Sequence, residues 1–129
     1  MILDRYERMI ARRYLLPSKG EGFIFVVAGF RVVHAPGHTP GHCMFFRESD
    51  RVCIAGDVLA NINVLTGKSG LRQPPKKFST NAAQNRRSIQ LLADLNPSIV
   101  CFGHGPPLRE PRLLTQYAAA LRQLRPQES

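Results

Sequence analysis

Three segments of the chain carry side chains able to bind a metal ion or move a proton, and all three are written in the same way. "FRVVHAPGH" is an apolar run, a turn and His38; "RVCIAGD" is an apolar run, Ala-Gly and Asp57; "SIVCFGH" is an apolar run, glycine and His104. Each places a metal-competent group just beyond the C-terminal end of a strand-like run, with glycine beside it where the backbone must bend sharply. Neutral imidazole and carboxylate oxygen suit zinc, iron or manganese, and a carboxylate can bridge two ions where an imidazole normally cannot. Paired ions lower the pKa of a shared water and polarise a carbonyl or phosphoryl oxygen. Pro36-Gly37 and Pro40-Gly41 stiffen the loop around His38, so that little ordering is left for binding. Nineteen positions separate His38 from Asp57 and 47 separate Asp57 from His104, so only the fold can unite them. On residue types and spacing alone, a strand followed by a stiff turn that contains histidines explains the pattern as well as a metal site does.

The neighbouring residues have supporting readings. His34 lies inside an apolar run and is read as structural. His42 opens the next strand and is expected to hydrogen-bond in support of the site rather than to bind metal. Gly37, Thr39, Gly56 and Gly103 are candidates for loop support. Cys43, Cys53 and Cys101 stand in apolar runs and read as buried small hydrophobes.

The elements that must position these groups are legible in outline. Ile2, Leu3, Tyr6, Met9, Ile10 and Tyr14 recur at steps of three and four, which predicts an amphipathic helix stopped before Pro17. "FIFVV" and "FRVVHA" read as strands around Ala28-Gly29, and "HCMFFRE" and "RVCIAGD" as a hairpin pair around "SD". From Val58 to Thr80 the pattern becomes irregular and predicts a long functional loop. Asn81 with Gln84 forms a capping pattern for a helix through Ile89, Leu92 and Leu95. "SIVCF" is a further strand, and Leu114, Tyr117, Ala118, Leu121 and Leu124 space a closing helix. Strands and helices alternate after residue 50, the signature of an α/β layered domain.

The totals narrow the field. A chain of 129 residues with 43% hydrophobic content suits one domain, or part of one, around a single core. The longest apolar run is too short to cross a bilayer, and the charged beginning does not read as a signal peptide. Three cysteines without a CxxC pair suit reduced thiols in a cytoplasmic protein. The net charge of +9 attracts polyanions, but the basic residues are dispersed, with no dense run and no interleaved aromatics. A solvated basic surface is therefore the expectation, and a nucleic-acid partner is not. In the loop after Asp57, Lys68, Arg72 and Lys76 are candidates to attract an anionic small-molecule substrate at its entrance.

"PGHTPGH", "AGD" after a strand and "FGHG" after a later strand resemble the later motifs of the metallo-β-lactamase fold hydrolases. The resemblance covers residues 22 to 108 and is specific in motif order and spacing. It implies an αββα sandwich with metals, usually two zinc ions, at one edge between two sheets. By resemblance His38 matches the third histidine of the first metal site, Asp57 the bridging aspartate and His104 the last histidine of the second. The family's first motif, HxHxDH, has no counterpart between Met1 and Gly37, where His34 is the first histidine. That departure removes four of the usual seven ligands. The expectation is a C-terminal half of such a domain, one sheet with flanking helices over 1–129, inactive alone and needing an N-terminal half or partner chain. Asp57, where some true β-lactamases place cysteine, resembles the glyoxalase II-like hydrolases of thioesters, lactones and phosphoesters. The alternative is a non-catalytic remnant whose basic surface binds nucleic acid or a protein.

Overall fold

The computed structural model describes residues 29–124. The amphipathic helix expected over 2–14 and the strand expected over 23–27 lie outside the described residues.

Four strands form one sheet: β1 (Phe30–His34), β2 (Cys43–Arg47), β3 (Val52–Gly56) and β6 (Ile99–Phe102), in the order β1-β2-β3-β6. β1, β2 and β3 run antiparallel in sequence, and β6 pairs parallel with β3. Period-two alternation sends Met44 and Phe46 of β2, and Cys53 and Ala55 of β3, to the same buried face. Helix α1 (Ala82–Asp94) and helix α2 (Pro111–Gln123) cover that face. α1 contributes Ile89 and Leu92, and α2 contributes Leu114, Ala118 and Leu121, so one core serves the sheet and both helices.

The two ends of α1 are secured by one local and one distant side chain. Asn81 caps α1, its Oδ1 accepting from the Gln84 N–H at 2.9 Å, as the capping pattern predicts. At the other end Arg51, at φ 60°, donates from its guanidinium to the carbonyls of Leu95 (2.9 Å) and Asn96 (2.8 Å). These bonds satisfy carbonyls that a helix terminus leaves unpaired. The Gln90 amide donates to the Ala118 carbonyl at 2.8 Å and ties α1 to α2. Pro111 opens α2, where its missing N–H costs nothing.

Three expectations need correction. The stretch from Val58 to Thr80 is not one irregular loop: β4 (Ala60–Ile62) pairs with β5 (Ser69–Arg72), and a short 3-10 turn follows at Lys76–Phe78. The sequence hides both strands: β4 turns the polar Asn61 inward and leaves Ala60 and Ile62 half-buried, and "SGLR" has a single apolar side chain of any size, so the apolar period that marks strands elsewhere is missing. Of the cysteines only Cys53 is fully buried, and Cys43 and Cys101 are half-buried on the opposite sheet face. Burial pushes the Cys53 thiol up to about 12, and all three thiols are free. Finally, Leu124 lies beyond α2 and is exposed. Among the described residues no helix is long and apolar enough to cross a membrane.

Candidate metal centre

β1 and β3 each run antiparallel to β2, and β6 runs parallel to β3, so β1, β3 and β6 all point the same way. Their C-terminal ends share one edge of the sheet, the place where α/β sheets present their ligands. His38 follows β1, Asp57 follows β3 and His104 follows β6. Topology thus explains how sequence separations of 19 and 47 are bridged.

The three side chains meet on Asp57. Its Oδ2 lies 3.8 Å from His38 Nε2 and its Oδ1 lies 3.7 Å from His104 Nε2. Both separations are too long for hydrogen bonds, yet each imidazole faces a different carboxylate oxygen. Among the described residues no group of three His, Cys, Asp or Glu side chains could hold a metal ion by itself. What is assembled is two His–carboxylate pairs sharing one aspartate, which is the donor set of a bridging carboxylate with one further ligand on each side.

Asp57 is fixed from several directions. Its backbone N–H donates to His42 Nε2 at 3.1 Å, so the ring proton of neutral His42 sits on Nδ1. Burial, with the His38 ring beside it, holds the His42 pKa below its ordinary value and keeps it in that accepting form. Gly56 turns the chain at φ 60°, and a Cβ there would stand 2.8 Å from His42 Nε2. Gly103 matters for a different reason, since a Cβ on it would lie 2.2 Å from Asp57 Oδ1. Only a glycine lets the carboxylate occupy this position. The Gly103 N–H also donates to the Gly56 carbonyl at 3.0 Å, locking the two strand ends together.

The His38 loop is anchored to the start of α1. The Thr39 carbonyl accepts from the N–H groups of Gly37 (3.1 Å) and His42 (3.3 Å), closing the turn. Asn81 donates to the Gly37 carbonyl at 2.9 Å, Thr80 to the His38 carbonyl at 3.1 Å, and the Ser88 hydroxyl to the Pro36 carbonyl at 2.7 Å. Thr80 and Ser88 were not legible as site residues, because nothing local in the sequence links them to a loop over forty residues earlier. His38 Nδ1 is buried without a hydrogen-bond partner among the described residues. His34 stays on β1, its Nε2 3.0 Å from the Pro40 carbonyl and away from the aspartate.

His38, Asp57 and His104 form the polar end of a cleft of about 870 Å³. Its walls continue through Ile62, Val64, Leu65, Leu71 and Phe78 to Arg72 and Tyr117. Of the three cationic candidates, Arg72 lines this cleft, whereas Lys68 and Lys76 are exposed outside its lining.

A sheet with metal-competent groups on one edge and helices on one face defines the class, and comparison with known proteins agrees. The sequence profile of the Metallo-beta-lactamase superfamily matches residues 5–104. The chain belongs to that superfamily. It is 38% identical over 82 residues to a "Probable metallo-hydrolase YflN" of Bacillus subtilis, covering 59% of this chain and 31% of that protein. It is 33% identical over 87 residues to a "Hydroxyacylglutathione hydrolase GloC" of Haemophilus influenzae, covering 66% of this chain and 38% of the other. An archaeal metallo-beta-lactamase superfamily protein of Sulfolobus tokodaii shares the fold, with a TM-score of 0.54 at 18% identity over 74% of this chain and 34% of that one. The chain thus spans about a third of the length of the curated relatives it matches.

Proposed function

We propose that this chain contributes the bridging side of a dinuclear, zinc-type centre in a hydrolase that cleaves an ester, thioester, lactone or phosphoester. The observation that carries the reading is Asp57, with one imidazole facing each of its oxygens. His38 and His104 would each hold one ion through Nε2, and Asp57 would hold both. When bound, such ions make hydroxide available near neutral pH and polarise the scissile carbonyl or phosphoryl oxygen.

The chain's own residues prepare that site. His42 accepts the Asp57 backbone N–H and so fixes the main chain from which the carboxylate projects. Gly103 keeps the space around Oδ1 clear. Ile62 and Leu71 add apolar surface to the cleft that holds the three groups. Three ligands hold metal weakly, since affinity follows ligand number and a closed geometry. In this reading the remaining ligands come from a segment or partner chain bearing the HxHxDH motif, and the isolated chain is inactive. The three free thiols suit a reducing, cytoplasmic setting.

The test is metal analysis of the purified chain after loading with zinc, iron or manganese and exhaustive dialysis, beside hydrolysis assays with a thioester, a lactone and a phosphoester. Substoichiometric metal and no turnover are expected. Two ions retained per chain would overturn the claim that its ligand set is incomplete.

A further inference from the structure

The cleft is lined in part by apolar side chains that stay exposed among the described residues. Val64 is 68% exposed, Leu65 92% and Phe78 62%. Val64 and Leu65 ride on the tip of the β4–β5 hairpin, whose shape is set by polar groups instead. Asn63 Oδ1 accepts from the N–H groups of Leu65 (2.9 Å) and Thr66 (3.3 Å), and the Asn63 backbone bonds Lys68 (2.8 Å) and Gly67 (2.7 Å). That tip would fold equally well with serine at 64 and 65, so the apolar residues there point to something they bind.

Val64, Leu65 and Phe78 line the same cleft as His38, Asp57 and His104. Arg72 is the one lysine or arginine among the described lining residues, and Ala60, Ile62, Leu71, Pro74 and Pro75 help make the lining chiefly apolar. The volume of about 870 Å³ falls within the range of small-molecule sites, about 300–1,000 Å³. We propose that the cleft takes ligands with an unbranched alkyl or acyl arm, laid on Val64, Leu65 and Phe78, with their polar end towards His38, Asp57 and His104. This rests on the hydrolase reading for its polar end, but the arm site stands without metal.

The test is an NMR titration of the full metal-free chain with butanoate, hexanoate, octanoate and 1-octanol. Full burial of one methylene strengthens binding about fourfold. With partial burial, octanoate is expected to bind at least about tenfold more tightly than butanoate. 1-Octanol should keep that gain, which separates the arm from the Arg72 charge. Leu65→Ser and Phe78→Ser should each remove most of it. Leu113→Ser, at an exposed leucine of α2 outside the cleft, should leave it unchanged. Equal affinity for butanoate and octanoate, or an equal loss in Leu113→Ser, overturns the proposal. So does a sedimenting dimer that Leu65→Ser dissociates and octanoate does not, which assigns the tip to a second copy of the chain. His38→Asn distinguishes the two readings: it should weaken zinc binding and leave the alkyl preference intact.

Discussion

At one end of the cleft, Asp57 is held by β3, by the His42 ring and by the missing side chain of Gly103. At the other, Leu65 rides on a hairpin tip with 92% of its surface in water. The first region fixes the Asp57 backbone and lets its carboxylate lie against Gly103 only because that residue has no side chain. The second is held by backbone and Asn63 hydrogen bonds that place no demand on the side chains they present. The polar end is therefore costly to alter, and the apolar end is free to vary with the ligand.

The sharpest contrast comes from one substitution made in two places. Leu92 is fully buried between α1 and the sheet, and Leu92→Ala is expected to cost about 2–5 kcal/mol in chemical denaturation. Leu65→Ala should stay within about 0.5 kcal/mol, the range of ordinary surface changes. Similar losses at both sites would mean that the hairpin tip is part of the core.

Gly103→Ala probes the polar end directly. The new methyl group must displace Asp57 or shift the strand end, an overpacking cost of about 1–3 kcal/mol. The same variant should weaken zinc binding at least tenfold, because the carboxylate moves. Unchanged stability and zinc affinity would show that the close approach of Gly103 to Asp57 does not constrain the site.

Asn81→Ala should have a smaller effect. Losing the cap is expected to cost about 1 kcal/mol, and the adjacent His38 loop should show faster amide exchange, because a frayed α1 start loosens the backbone N–H of residue 81 that holds the Gly37 carbonyl. A variant with wild-type stability would remove the α1 start from the supports of the loop.

Much of this was legible in the sequence, for reasons that differ by element. β1, β2, β3 and β6 carry apolar runs bounded by turn residues, and the Asn81 cap announces α1. The repeated run–glycine–ligand pattern pointed to His38, Asp57 and His104 because chain direction puts all three on one sheet edge. The β4–β5 hairpin was not legible because its strands are short, the residue β4 buries is the polar Asn61, and Leu71 alone of β5 packs against the core. Thr80 and Ser88 escaped because their bonds to the His38 loop depend on where α1 docks. The distinction between Arg72 inside the cleft and Lys68 and Lys76 outside it likewise needs coordinates, since all three occupy one stretch of loop-like sequence.

The most direct measurement is a zinc titration of the chain and its Asp57→Asn variant in competition with a chromophoric chelator. The account predicts weak binding by the wild type and a loss of at least tenfold in Asp57→Asn, with smaller losses in His38→Asn and His104→Asn. Equal zinc affinity in the wild type and Asp57→Asn would contradict it.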